Sequence, residues 1–445
     1  MNLDQTKRRG RLMKSSKSIK FIDLFAGIGG IRKGFELACA SMNLPCECVF
    51  TSEIKPHAIS VLKQNNPGSE IFGDITQIDE KGIPNFDFLL AGFPCQAFSF
   101  AGKRLGFSDT RGTLFFDVER ILKEKQPKGF LLENVEGLVT HDRVDRKEPV
   151  GRTLSTILER LDDLGYQTDW KVLNSRNFGV PQERKRIYIV GTKKGKPNLV
   201  FKDNKRKVFE EIMEHNLPVV DSRLCKLLLT HFEIEELYGK SIKDKRGGEN
   251  NIHSWDIELK GEVSDTQRDL LNSILTERRK KKWATQYGID WMDGMPLSID
   301  QIRSFYSADN LEELLEDLVV KGYLKKEYPK KKVDGKRVQD ENLPVGYNIV
   351  AGKMSFEINK ILDPKDVAPT LVAMDMQGLF VADGKGLRNL SLREGLRLFG
   401  YPEGFKFDTN KELGYDLLGN TVVVPVIEAV AKRVLDIYYQ EGNSK

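Results

Sequence analysis

Cysteine is scarce in this chain: five residues among 445, at Cys39, Cys46, Cys48, Cys95 and Cys225. An odd number in a large chain, with no pair of Cys-x-x-Cys clusters, excludes a disulfide framework and a zinc ribbon. The usage is that of a reduced, intracellular protein, so a cytoplasmic location is expected. An excess of charge of one sign is also lacking. Seventy Lys and Arg against 65 Asp and Glu leave a net charge of +5, too little over this length to argue for nucleic acid by itself. No apolar run stands out as a membrane span, and no membrane partner is expected. The basic stretch Lys7 to Lys20 has no apolar core of the kind a secretory signal needs, and 1–18 reads as a disordered leader. Internal repeats are absent.

What is present is a chain with 40% hydrophobic and 30% charged residues, the balance of a soluble globular protein, and long enough for two domains. From Phe21 to Gly191 short apolar runs alternate with helical patterns, the signature of βαβ units and a mostly parallel sheet with helices on both faces. The runs are Phe21–Ala26, Cys48–Ser52, Phe86–Ala91, Gly129–Leu132 and Arg186–Val190. Lysine-rich and long charged helical stretches then replace this alternation until about Leu387. Apolar patterning returns in Leu390–Phe405 and Gly419–Tyr439, the latter a helix that packs back on the first domain. The expected organisation is therefore an α/β domain over 19–195, an inserted domain over 196–387, and a return over 388–445. Inside the insertion, the amphipathic Leu311–Leu324, a lysine-rich stretch with an Asp334-Gly335 turn, and Gly346–Val350 suggest a helix with a β-wing. Such a unit either binds DNA or is a charged hairpin on a solvated face.

Three strand ends carry cofactor chemistry. Asp23-Leu-Phe25-Ala-Gly27-Ile-Gly29-Gly30 joins a strand to a helix, and its glycines let a ligand approach the backbone closely. Arg32 occupies the third-glycine position of a pyrophosphate loop, which weakens a nicotinamide-type oxidoreductase reading. Glu53, at the end of the next strand, is placed to accept hydrogen bonds from ribose hydroxyls, and Asp74 from an adenine amino group. Either acid alone would read equally as a loop cap.

Cys95, in Gly92-Phe-Pro94-Cys95-Gln96-Ala-Phe-Ser99, follows an apolar strand where open α/β sheets hold their ligands, and a thiolate is a strong nucleophile. Its proline and glutamine neighbours make a poor core segment, unlike the other four cysteines, which read as small buried hydrophobes. Glu133 ends the strand Leu131-Leu-Glu-Asn-Val135. Arg184 and Arg186 share one face of the strand that follows Gln182-Glu183.

These blocks, Phe21–Phe35, Phe86–Gly102, Phe130–Gly137, Asn177–Gly191 and Gly419–Val424, resemble in order and wording the signature blocks of DNA cytosine carbon-5 methyltransferases of the bacterial restriction-modification type. The resemblance implies a Rossmann-like fold that binds S-adenosyl-L-methionine, releases S-adenosyl-L-homocysteine, and uses no metal. It implies Cys95 as the nucleophile on carbon 6 of a flipped-out cytosine, Glu133 as a protonated acid with a raised pKa, and Arg184 and Arg186 as contacts to the base and reacting centre. Cofactor roles fall on Phe25, Gly27, Gly29, Gly30, Glu53, Ile54, Asp74, Ile75, Pro94, Asn420 and Val422. Ile54 stands where many relatives carry a larger aromatic residue. DNA contacts fall on Gln96, Ser99, Lys103 and Thr370, within a mobile Phe98–Thr113 loop and a target-recognition domain. Double-stranded DNA is the implied partner, bound by a monomer, with a cognate endonuclease that forms no stable complex. An RNA-modifying relative would be expected to carry a Cys-Phe-Thr element in a short middle domain, which is missing here. A non-catalytic relative would have lost the cysteine, the glutamate or the glycine loop.

Overall fold

The computed structural model describes residues 18–93, 114–145, 147–203, 206–290, 294–333, 335–351 and 356–439. They divide into two compact units, the first comprising Met1–Ile212, Lys365–Met374 and Leu392–Lys445, the second Met213–Pro364 and Asp375–Ser391.

The first unit runs β1 (Ile19–Leu24), α1 (Gly30–Ser41), β2 (Cys46–Ser52), α2 (Pro56–Asn65), β3 (Phe88–Ala91), α3 (Leu114–Lys125), β4 (Gly129–Val135), α4 (Arg152–Asp163), β5 (Gln167–Asn174) and β6 (Lys185–Thr192). Its six-stranded sheet has the order β2-β1-β3-β4-β6-β5. The pairs around β1 and β3 are parallel, and β6 runs antiparallel to both β4 and β5. Strands β1, β3 and β4 are nearly continuous apolar runs because both faces are covered. Ile22, Leu24, Leu89 and Leu132 pack with Val118 and Ile121 of α3 and Ile157 of α4. The alternate residues Phe21 and Phe88 face the ring of Phe35 on α1. β5 was not among the expected strands. Its run Gln-Thr-Asp-Trp-Lys-Val-Leu-Asn alternates at a sheet edge and buries only Leu173 fully, so it shows no apolar run to read.

The second unit contains α5 (Arg223–His231), β7 (Ser241–Ile242), β8 (Asn251–Ile252), α6 (Asp265–Glu277), α7 (Lys281–Gln286), α8 (Ile299–Arg303), α9 (Leu311–Val320), β9 (Leu324–Glu327), β10 (Lys330–Val333), β11 (Lys336–Gln339), β12 (Gly346–Ile349), β13 (Lys360–Ile361), β14 (Leu379–Asp383) and β15 (Gly386–Asn389). Its five-stranded sheet, β15-β14-β13-β7-β8, packs with α5 around Leu228, Ile361, Phe380 and Leu387. A separate core gathers Leu270 and Ile274 of α6, Ile302 of α8, Leu315 and Leu318 of α9, Leu324 of β9 and Ile349 of β12. The bounds differ from the expected 196–387. Lys365–Met374 belongs to the first unit because Ala368 bridges to Gln182 and accepts from the amide of Glu183 at 2.8 Å.

The chain then returns through α10 (Leu392–Leu398), α11 (Lys411–Gly419) and α12 (Val424–Tyr439). By length and composition Lys411–Tyr439 would suffice to cross a bilayer. In the fold it is two helices, and α12 buries Val424, Ile427, Val430, Val434 and Leu435 inside the unit. α12 lies close on α1 because Gly34 has no side chain; a Cβ there would sit 2.5 Å from that of Ile427.

Asp23 in β1 is wholly buried, and neither carboxylate oxygen makes a hydrogen bond. Burial outweighs the nearby Arg32 guanidinium and pushes its pKa up to about 8. The folded state therefore binds this proton more tightly than the unfolded chain, so stability falls as pH rises from the ordinary aspartate range toward 8 and levels off above it. Asp23→Asn is expected to flatten the thermal midpoint between about pH 5 and about pH 8 relative to wild type. Parallel pH profiles for the two proteins would contradict the assignment.

Candidate active site

The loop after β1 turns through three left-handed residues, Phe25 and Gly27 at φ 55° and Gly29 at φ 83°. This conformation is strained for the bulky Phe25 and natural for the glycines. Glu53, just past β2, anchors the loop: one carboxylate oxygen accepts from the Gly27 amide at 2.7 Å, the other from the Ile54 and Lys55 amides at 2.8 Å each. Gly30 opens α1 under the returning chain; a Cβ there would lie 2.6 Å from the Tyr401 hydroxyl and 2.8 Å from Val422 Cγ2. Val422, Gly29 and Gly30 therefore shape the loop from behind. Phe25, Gly27, Glu53, Ile54, Asp74, Ile75 and Asn420 line a cavity of about 450 Å³ in front of it.

Asp74 is not the end of a strand. Phe72 makes a single parallel bridge to Ser52, and Asp74 then caps a short 3₁₀ turn, accepting from the Thr76 amide at 3.0 Å and hydroxyl at 2.9 Å. Asn420 ends α11, its amide donating to the Asp416 carbonyl at 2.7 Å.

The same cavity is bounded on the far side by Glu133, Asn134, Arg184 and Arg186. In the antiparallel β4–β6 pairing Glu133 faces Tyr188 and Val135 faces Arg186. Glu133 is buried and lies 3.3 Å from Nε of Arg186. Burial raises its pKa above the ordinary glutamate range, opposed by Arg186 and then Arg184. A carboxyl group in this setting can hold a proton and donate it to a base.

The two arginines do different work. Arg184 is buried, and its guanidinium donates to the carbonyls of Leu371 at 2.8 Å and Thr421 at 2.9 Å, with Gly419 at 3.4 Å. Burial lowers its pKa to about 10. Its guanidinium clamps backbone at the cavity wall, and Arg186 is the arginine that pairs with Glu133.

Asn134 had been given no role. Its amide donates to the Phe93 carbonyl at 3.0 Å while its oxygen accepts from the Val135 amide at 2.8 Å, holding the backbone directly ahead of Pro94-Cys95. Its place one residue after the acid was the available signal. Pro94, Cys95, Gln96, Ser99 and Lys103, with the Phe98–Thr113 loop, lie outside the described residues. Thr370 lies in a neighbouring recess with Lys185, Arg186 and Glu136, and its hydroxyl donates to the Glu183 carbonyl at 2.6 Å. Among the described residues no three His, Cys, Asp or Glu side chains gather to hold a metal ion.

Arg184→Met would leave buried carbonyls without donors, and unfolding in denaturant is expected to show a loss of about 3 kcal/mol or more. Arg186→Met, which leaves no buried carbonyl unpaired, is expected to cost less than half as much. Equal losses would remove the distinction between clamp and site residue.

The family model for C-5 cytosine-specific DNA methylase matches residues 19–436. The chain is 64% identical to the Type II methyltransferase M.NlaIV of Neisseria lactamica over 94% of this chain and 99% of that protein. It is 42% identical to the Type II methyltransferase M.BanI of Aneurinibacillus aneurinilyticus over 96% and 97%. Among solved structures, the Entamoeba histolytica methyltransferase EhMeth superposes with a TM-score of 0.51 at 16% identity, covering 96% of this chain and all of that one, a likeness of fold. With the glycine loop, the buried acid and the arginine pair set in one cavity, the chain belongs to the C-5 cytosine-specific DNA methylase family.

Proposed function

We propose that this chain methylates carbon 5 of a flipped-out cytosine in duplex DNA as the modification enzyme of a restriction-modification system in a bacterial cytoplasm, with Cys95 as nucleophile. The observation that carries the reading is the pair of buried Glu133 and half-buried Arg186, set across one cavity from the glycine loop and next to the backbone that leads into Cys95.

The cavity suits S-adenosyl-L-methionine. Glu53 spends three backbone amides on its two oxygens, and a carboxylate offers about four acceptor sites, so one remains for a ribose hydroxyl. Ile54 is 65% exposed at the cavity wall, an apolar plate for a ring. Phe25, Asp74, Ile75 and Asn420 would hold the rest, and Pro94 follows from the family pattern. When bound, the group supplies an electrophilic methyl.

The residues of this chain prepare the base. The Cys95 thiolate adds to carbon 6 of the ring, and the electron pair displaced toward carbon 5 makes that carbon nucleophilic. Glu133 donates its proton to ring nitrogen 3, so the adduct forms without building up negative charge. Arg186 lies against Glu133 and orients it. After methylation a base or water takes the carbon 5 proton, its electron pair re-forms the carbon 5–carbon 6 double bond as the carbon 6–sulfur bond breaks and restores the thiolate, and ring nitrogen 3 returns its proton to Glu133. A base within a duplex exposes neither ring face to this attack, so the cytosine is extruded at a cost of roughly a few kcal/mol. A monomer suffices, since one site acts on one base, and a cognate endonuclease needs no stable contact with it.

Wild-type protein with radiolabelled S-adenosylmethionine is expected to place 5-methylcytosine in unmethylated duplex DNA and none in tRNA, and Cys95→Ser to place none in either. Label in tRNA alone would favour an RNA-modifying enzyme. A second test uses pH. Turnover should fall as pH rises through the raised pKa of Glu133, and Arg186→Met removes the cation that holds that pKa down. The alkaline limb of kcat in Arg186→Met should therefore move to higher pH even as kcat drops; a limb that stays or moves down would dismiss Glu133 as the acid.

A further inference from the structure

In much of the second unit the cations are answered by acids. Lys226 lies 2.6 Å from Asp221, and Lys280 and Lys282 both pair with Glu277. Along the strands that follow α9, Lys325 and Lys330 pair with Glu327 and Lys331 with Asp340. Arg278 is buried and donates to Asn348 at 2.6 Å. The loop between β7 and β8 is built the other way, with its anchors turned inward and its cations left without acids.

β7 and β8 are parallel neighbours, Ser241 opposite Asn251 and Ile242 opposite Ile252, joined only by residues 243–250, Lys-Asp-Lys-Arg-Gly-Gly-Glu-Asn. Parallel strands usually need a crossover of about a dozen residues or more, so this short return has to be pinned. The buried Asp244 carboxylate accepts from the Ser254 amide and hydroxyl at 2.7 Å each. The Asn251 side chain donates to the carbonyls of Gly247 at 2.8 Å and Arg246 at 3.2 Å, and its backbone amide to that of Gly248 at 2.9 Å. A ring nitrogen of His253 lies 3.2 Å from the Arg246 carbonyl. These bonds end on backbone or on Asp244, so the shape of the loop is fixed without its basic side chains.

Those side chains gather on one side. β13 runs antiparallel to β7 with Lys360 opposite Ser241, and Ile242 and Ile361 turn into the core shared with α5. The half-buried Lys360 therefore shares the other face with Ser241, and Lys243, two residues further on, continues it. There Lys243 meets its own sign. Burial, then Arg246, then Lys360 push its pKa below the usual lysine range, and the charges acting on it are both positive. Glu249, the exposed acid of the loop, is not one of them. Cations that repel one another on a scaffold held by other bonds add nothing to the fold. An anion set among them removes the repulsion.

We propose that Lys243, Arg246 and Lys360 together bind a phosphate of the duplex-DNA backbone, Arg246 through its planar fork and the two lysines as point charges. The inference rests on the reading of the chain as a duplex-DNA methyltransferase, which supplies the polyanion. A contact of this kind fixes the duplex against the second unit and carries no base information, leaving sequence recognition to other parts of the unit.

The test uses the full-length protein with the triple variant Lys243→Gln, Arg246→Gln, Lys360→Gln. The comparison is Lys226→Gln, Lys280→Gln, Lys282→Gln, which removes the same charge from cations that each pair with an acid. Without DNA and at low salt the thermal midpoint of the first variant should hold or rise, because a repulsion is removed; a clear fall would show that these cations support the loop and would overturn the proposal. This variant is expected to bind cognate and non-cognate duplexes about tenfold more weakly, with a slope of log affinity against log salt shallower by about one. Its KM for DNA should rise, with turnover recovering at saturating DNA and the KM for S-adenosylmethionine unchanged. The comparison variant should keep the wild-type slope. An unchanged slope in the first variant, an equal change in the second, or weakening confined to the cognate duplex would each overturn the assignment while wild type still methylates DNA. So would calorimetry in which the first variant loses binding of inorganic phosphate but keeps its affinity for DNA, since the ligand would then be a free anion. Wild type that forms no 5-methylcytosine in DNA would overturn the underlying reading instead.

Discussion

The catalytic unit is assembled on one buried cation. Arg184 sits at the entrance to β6, and its guanidinium holds the carbonyl of Leu371 from one returning segment and those of Gly419 and Thr421 from another. A charge buried to this degree is tolerated only when hydrogen bonds replace its hydration, and the planar fork of an arginine can reach several carbonyls at once. The ring of Phe399 lies 5.3 Å from the guanidinium carbon and adds a cation–π contact. Because the segments joined are hundreds of residues apart in the chain, this single side chain sets Asn420 and Thr421 at the cavity wall and Val422 against Gly30.

Around that clamp the unit keeps buried acids under control in two ways. Glu133 has a cation within reach, Arg186, which moderates the effect of burial and leaves a carboxyl group able to hold or give up a proton. Asp23 has no side chain bonded to its carboxylate oxygens, so burial dominates over the nearby Arg32 and the group resists ionisation. Glu53 is the third case. It is buried too, but three backbone amides donate to its oxygens, making it a rigid anchor for the glycine loop. Similar carboxylates thus become a cavity-wall group beside a cation, a core group and an anchor according to what surrounds them.

In the second unit charge is sorted between neighbouring elements. The acids of α9 face solvent or pair with Arg303, Lys321 and Lys326, while in the β10–β11 ribbon Lys332 stands across from Arg337. Composition averages these to near balance, which is why the net charge of the chain conceals a basic surface. Register exposes it.

Much of the fold was legible along the chain. Apolar runs marked β1, β3 and β4 because strands buried on both faces must be apolar throughout, and the glycine loop and the strand-end Glu133 could be read because a loop's conformation and an acid's place at a strand end follow from single residues and their immediate neighbours. The edge strand β5 was not legible, since it buries only Leu173 fully, and neither was the single bridge at Phe72 in place of a strand before Asp74. Tertiary structure alone decided that Arg184 clamps backbone while Arg186 meets the acid, that Asn134 holds the approach to Cys95, and that Lys365–Met374 joins the catalytic unit. The reason is physical: each of these depends on which distant atoms fill a side chain's hydrogen-bonding capacity, and spacing along a sequence carries no information about a partner two hundred residues away.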